Sequence, residues 1–125
     1  MCSVKFEGRL FRSAEHAYQA AKSLKPDIRR KIADAPRPSD AKRLGKSVLL
    51  RPGWEKIKLD VMCTVLRSKF SNPNLKKALL ATGDAKLEEG NDWNDRWWGT
   101  VNGIGHNWLG KILMEIRAEL RNGRR

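Results

Sequence analysis

Along most of this chain apolar residues recur at intervals of three and four, the spacing of one face of an α-helix. Ser13 suits the N-cap of a helix over about 14–24, with Ala14, Ala17, Tyr18, Ala21 and Leu24 as its apolar stripe. Pro26 fits the first position of a short helix that turns Ile28, Ile32 and Ala35 inward. Pro36 and Pro38 break that helix, and Ser39 is placed to cap another through about Lys46. Pro52 opens the longest predicted helix, to about Phe70, with Trp54, Ile57, Val61, Met62, Val65 and Leu66 on its core face. Asn72-Pro73 starts a helix carrying Leu75, Ala78 and Leu79, which Gly83 ends. A last helix over about 108–121 lines up Leu109, Ile112, Leu113, Ile116 and Leu120, and residues 122–125 are expected to fray.

Strand signals are few. Val4 to Phe11, with Glu7-Gly8 in its middle, predicts a short hairpin or an extended entry segment, and a second short β segment is expected around 86–89. The fold class that follows is mainly α. With 125 residues and no linker, repeat or low-complexity tract, the chain is expected to form one compact helical domain over 1–125. No apolar run approaches the ~18 residues of a membrane span and no signal-peptide pattern opens the chain, so a cytoplasmic location is expected. Cys2 and Cys63 do not form a disulfide framework.

The stretch over about 83–107 breaks the helical pattern. It exceeds the ~12–15 residues beyond which a structureless loop in a compact domain is usually functional or disordered, and its tryptophans argue against disorder. Within it, Glu88 to Trp98 holds four of the 14 acidic residues and three of the five tryptophans. The formal net charge is +12, of which residues 1–51 carry +8. A field of that size favours an anionic, phosphate-bearing partner. An acidic, indole-walled centre inside it has two readings: a pocket that readies a carboxylate for proton transfer, or a loop pinned to the core by its tryptophans.

Several polar residues accompany that segment. Glu15, Gln19 and Lys22 share one helix face, either as a solvated ladder or as the polar wall of a ligand site. His16 lies off the apolar stripe and reads as a structural or ligand-contacting imidazole. Lys42, Lys58 and Lys69 are further cationic candidates, Lys69 with a helix C-terminus as its ordinary explanation. Asn107 suits the N-cap of the last helix, where backbone N–H groups could also hold a phosphate. Two histidines without a Cys-x-x-Cys exclude a zinc site, and the dinucleotide, P-loop and Gly-x-Ser-x-Gly patterns are missing. No metal or cofactor is expected.

The run Ser13-Ala14-Glu15-His16-Ala17-Tyr18-Gln19-Ala20-Ala21-Lys22 resembles the opening motif of the NADAR (NAD- and ADP-ribose-associated) family. Ala41-Lys42-Arg43-Leu44-Gly45 is similar to its Ala-Lys-x-x-Gly segment, and Trp54, Lys58, Met62 and Lys69-Phe70 follow in order. So do Leu79 to Asp84, Leu87 to Gly99, and Gly105 to Met114. Family members often open further upstream with a Ser-Asn-Phe segment; this chain starts near the stretch ending at Gly8, so either a missing part of the pocket wall or a short variant is expected.

The resemblance implies a mostly α-helical N-glycosidase that cleaves a ribose phosphate unit from a base or amine. Riboflavin-biosynthesis intermediates and ADP-ribosylated guanine are the implied substrates, the latter with nucleic acid as carrier. It marks Glu15, Lys22, Glu89, Asp95, Trp98 and Asn107 as pocket residues. In the mechanism expected from them, Glu89 and Asp95 divide charge stabilisation and proton donation, and Trp98 and Trp93 stack on the base. Lys22 holds the phosphate or forms an imine with the ring-opened sugar. The competing class is a non-catalytic binder of nucleic acid or ADP-ribose. Against it, the aromatics sit among acids that repel a phosphate backbone.

Overall fold

A computed structural model describes residues 2–123, so Arg124 and Arg125 of the expected frayed end lie outside the described residues. The fold is mainly α, with six helices and one two-stranded sheet among the described residues. No helix is long and apolar enough to cross a membrane. By contacts the chain divides into two compact units, residues 1–69 and 70–125.

In the first unit, strands β1 (Val4–Phe6) and β2 (Arg9–Phe11) pair antiparallel, with Val4 opposite Phe11 and Phe6 opposite Arg9. Glu7 and Gly8 both have positive φ, at 47° and 77°, as a two-residue hairpin turn requires. The expected hairpin is therefore present. Helix α1 (Ala14–Ala21) follows, then α2 (Pro26–Ala33), α3 (Pro38–Gly45) and α4 (Trp54–Lys69). Helix α1 packs on α2, α3, α4 and both strands, so it is the centre of the unit. Its Ala17, Ala20 and Ala21 are buried, and small side chains there let neighbouring backbones come close. Trp54 of α4 packs on Tyr18 with ring centroids 5.4 Å apart.

A central helix buries polar residues as well as apolar ones. His16 is fully buried: Ser13 Oγ lies 2.7 Å from Nδ1 and the Ala35 carbonyl 2.9 Å from Nε2. Because a carbonyl only accepts, Nε2–H donates to Ala35 and Nδ1 accepts from the Ser13 hydroxyl. Ser13 also accepts from the backbone N–H of His16, so it caps α1 as expected. Asp40 in α3 is held by Arg37 and Arg43 at 3.0 Å each. The Arg37 hydrogen bond keeps its carboxyl below the ordinary aspartate range.

Some boundaries differ from expectation. Helix α1 stops at Ala21, so Leu24 is exposed rather than part of the stripe. Pro38 is the first residue of α3 and Ser39 does not cap it. Helix α4 begins at Trp54, after a turn at Gly53 with φ 75°.

The second unit contains α5 (Pro73–Leu80) and α6 (Trp108–Arg121), which pack together. Asn72 caps α5 by accepting from the N–H groups of Asn74 and Leu75. Leu79, Ile112, Ile116 and Leu120 are buried, whereas Ala78, expected inward, is exposed. Arg117 reaches Thr82 Oγ1 at 2.8 Å and so ties α6 to the end of α5. The β segment expected around 86–89 is reduced to a single parallel bridge between Gly90 and Thr100.

Candidate functional site

Three predicted residues lie on one side of α1. Gln19 is buried, and its Nε2 donates to Glu15 Oε2 at 3.3 Å. The Glu15–Gln19 rung of the ladder read from the spacing thus exists, but it is buried at Gln19 rather than solvated. Lys22 is the C-cap residue of the same helix, half-buried, with Nζ 5.8 Å from the centre of the Tyr18 ring. Burial pushes its ammonium below the ordinary lysine value; the Glu15 carboxylate opposes the shift, and Lys42 and Lys58 add to it. Lys42 is exposed on α3. Lys58 on α4 is mostly buried and pairs with Glu55 at 2.5 Å. Lys69 is the last residue of α4 and half-buried. The substrate contact expected of His16 does not fit its position, since the ring is sealed in the core with both nitrogens engaged.

In the second unit the acidic segment is a tightly bonded loop. Asn91 organises it: its Nδ2 donates to the carbonyls of Asp95 and Thr100 at 2.8 and 3.2 Å, and its Oδ1 accepts from Asp95 N–H at 2.9 Å. Asp95 Oδ1 in turn accepts from the N–H groups of Trp97 and Trp98, at 3.1 and 2.9 Å. One of its two oxygens is therefore engaged in shaping the loop. Glu88 is exposed, and its carboxylate accepts from the Thr100 hydroxyl and lies 3.7 Å from Lys86.

Glu89 differs from both. Its N–H donates to Asn107 Oδ1 at 2.9 Å and its carbonyl accepts from Thr100 N–H at 2.8 Å. Among the described residues its carboxylate meets neither a hydrogen-bond donor nor an ion-pair partner. The half-buried Glu89 thus has a fixed backbone and a side chain left for another task. Gly99 is part of the arrangement, since a Cβ there would stand 1.9 Å from the Glu89 carbonyl oxygen.

Asn107 has left-handed backbone, φ 52° and ψ 41°, and its side chain does not cap α6. Its amide instead grips the loop, donating to the Leu87 carbonyl at 2.9 Å and accepting from Glu89. Gly110 completes the grip: a Cβ there would lie 2.2 Å from the Leu87 carbonyl. The phosphate cradle expected at this helix start is not available. Backbone N–H groups of His106, Asn107, Trp108 and Leu109 already donate to the carbonyls of Arg96, Gly99, Trp97 and Trp98.

The Asn107→Ala variant is expected to remove both grips and leave the Leu87 carbonyl and Glu89 N–H without partners, at about 1–3 kcal/mol for each such buried group. Hydrogen exchange at Glu89 N–H should accelerate while the α4 amides stay protected; unchanged Glu89 exchange would refute the clamp.

The tryptophans take different places. Trp97 packs against Trp98, His106 and Trp108, with ring centroids 6.4, 5.4 and 6.0 Å away, and Lys111 Nζ lies 4.5 Å from the Trp108 ring centre. Trp98 is half-buried at the edge of this cluster, and Trp93 is 59% exposed. The loop is thus pinned by its tryptophans, one of the two readings of the acidic segment, and part of its polar and aromatic surface stays exposed. Trp97 pins the loop, while Glu89 and Trp93 present polar and aromatic surface. Asn91 and Thr100 were not singled out in the sequence; an Asn between Gly90 and Asp92 was the available turn signal.

A model of the NADAR domain matches residues 2–121. The chain is 41% identical over 121 residues to N-glycosidase YbiA of Shigella boydii, covering 94% of this chain and 75% of that protein. It is 36% identical over 121 residues to the chloroplastic riboflavin biosynthesis protein PYRR of Zea mays, covering 86% of this chain and 19% of that one. An NMR structure of the Escherichia coli protein YbiA shares the fold with a TM-score of 0.86 and 39% identity, over 98% of this chain and 74% of that chain.

Proposed function

Because the chain belongs to the NADAR family and is an enzyme of the glycosidase type, we propose that it hydrolyses the N-glycosidic bond of a ribose-phosphate or ADP-ribose substrate. Residues 1–125 would act as one functional domain, which the family match across 2–121 supports. Riboflavin-biosynthesis intermediates are the favoured substrates, on the strength of the riboflavin biosynthesis name of the Zea mays relative. ADP-ribosylated guanine in nucleic acid is the second, favoured by the +12 charge.

The observation that carries the mechanism is Lys22, a half-buried lysine whose ammonium form is disfavoured. A neutral amine is a nucleophile, and a ring-opened N-ribosylamine offers it an electrophilic C1′. The Lys22 nitrogen adds to C1′, and the bond from C1′ to the departing nitrogen then breaks. Its electron pair stays on that nitrogen, which takes up a proton. The sugar is left on Lys22 as an imine, and water hydrolyses it to the free sugar phosphate and the free amine. Cationic character at C1′ calls for a carboxylate to stabilise it, and Glu89, whose own carboxylate is unengaged among the described residues, is the residue proposed for that role. Asp95 would support that role through the loop it shapes, and Trp98 and Trp93 would stack on the base. Glu15, Lys42, Lys69 and Asn107 are proposed to hold or frame the substrate.

The deciding experiment incubates the protein separately with a ribosylated riboflavin precursor and with ADP-ribosylated guanine DNA, and measures released sugar phosphate or ADP-ribose. Release from one identifies the substrate class. Release from neither, at micromolar enzyme, would overturn the proposal.

A further inference from the structure

Gln19 is an unusual residue to find at the centre of the first unit. It is 4% exposed, it comes from the last turn of α1, and its Oε1 is buried without a hydrogen-bond partner. A buried acceptor left unmade costs on the order of 1–3 kcal/mol, so the fold would be better served here by an apolar side chain. The amide is nonetheless held firmly. Helix α3 passes so close that a Cβ on Gly45 would lie 1.9 Å from Gln19 Oε1 and 2.8 Å from its carboxamide carbon. The glycine at the end of α3 is thus the wall of a slot cut to the shape of a carboxamide.

The orientation of the amide within that slot has one evident cause. Its Nε2 faces Glu15 Oε2 at 3.3 Å; turned over, the amide would set a carbonyl oxygen against a carboxylate. A feature that is unfavourable for stability yet shaped on two sides is expected where a function needs it.

We infer that Gln19 is a positioning residue, wedged against Gly45, whose task is to fix the carboxylate of Glu15 for the reaction at Lys22. It does not touch substrate, because its polar atoms are sealed between α1 and α3. This rests on the proposed role of Lys22 and narrows it: the amine works beside a carboxylate of fixed place. Glu15 on α1, Lys42 on α3 and Lys58 on α4 are the charged groups that act on Lys22. Of these only Glu15 is negative. As the one carboxylate among them it is also the group able to take up the Lys22 ammonium proton, so its placement sets the height of kcat as well as the pH at which kcat rises.

The test compares Gln19→Met, Gly45→Ala and Glu15→Gln with the parent chain, using the ribosylated riboflavin precursor as probe. Gln19→Met fills the slot with an apolar chain of similar length and should leave the melting temperature unchanged or raise it. It should lower kcat about tenfold or more with a smaller change in KM. It should also move the rising limb of the kcat–pH profile to lower pH, in the direction produced by Glu15→Gln, and the double variant should move it no further. Gly45→Ala, which displaces the amide, should reproduce the kcat loss. Gln19→Leu serves as a second apolar replacement should the Met variant fold poorly.

Unchanged kcat in folded Gln19→Met, or a kcat loss without any pH displacement, would overturn the inference. If Lys22→Met and Glu15→Gln also retain full turnover, the reading of the site fails as well. If those two lose turnover while Gln19→Met does not, only the positioning role falls.

Discussion

Replacing Lys22 by Met is expected to lower kcat by on the order of 10³-fold or more while the chain stays folded. The fold should tolerate the change because desolvation disfavours the lysine ammonium, and an apolar chain of similar length carries no such penalty. Borohydride added during turnover should trap the sugar on the parent protein and not on the variant. An adduct mapped by mass spectrometry to another lysine, or none on any lysine, would remove Lys22 from the imine role. If Lys22 only held a phosphate, its loss would appear mainly in KM, so the split between kcat and KM separates the two roles.

The pH dependence follows with a definite sign. The reactive form is the neutral amine, whose share rises with pH up to the pKa. Burial, the largest influence, lowers that pKa, so the rise in kcat/KM should lie below the ordinary lysine value of 10.5. Glu15 raises the pKa of Lys22, and Glu15→Gln should carry the rise to lower pH. Lys58 lowers it, and Lys58→Met should carry the rise to higher pH. Movement of both variants in the same direction would contradict this electrostatic picture.

The second large effect is expected at Glu89. Glu89→Gln keeps the size and shape of the side chain and every backbone bond that fixes residue 89, so the melting temperature should hardly change. Without the negative charge, cationic character at C1′ is no longer compensated, and kcat should drop about 10²–10³-fold. Asp95→Asn provides the contrast. Its engaged oxygen serves the Trp97 and Trp98 N–H groups, and an Asn Oδ1 can accept the same two bonds. A smaller kcat loss is expected there, about tenfold or less. Equal losses at both positions would assign the two carboxylates equal parts in the chemistry.

Much of this protein was legible in its sequence, for reasons that can be located. Pro26 and Pro73 start helices where their fixed φ and missing N–H cost least, and Ser13 and Asn72 cap where hydroxyl and amide oxygens are needed. The Glu7-Gly8 turn could be read because few residue pairs adopt positive φ twice in succession. Motif order, from Ser13 to Met114, indicated the family and the candidate residues. His16 reads from the sequence as a structural or a ligand-contacting imidazole, and its buried, doubly bonded ring fits the structural alternative. A helix packed against five other elements leaves little room for a ligand contact at that position.

Asn107 shows the other limit. Local preference makes it a helix cap, and it does stand at the cap position. Its amide nevertheless bonds residues 18 and 20 positions earlier, because the left-handed backbone turns it toward Leu87 and Glu89. What the sequence by itself determined was short-range: helix starts and stops, the hairpin turn, the charge field and the order of motifs. These depend on propensities and capping within a few residues. Only the tertiary structure decided which polar atoms are engaged: both His16 nitrogens, the Gln19 Nε2 and one carboxylate oxygen of Asp95, but, among the described residues, no donor for the Glu89 carboxylate. Such assignments arise where segments far apart in the chain close on one another, and burial then sets which groups keep their charge and their reach.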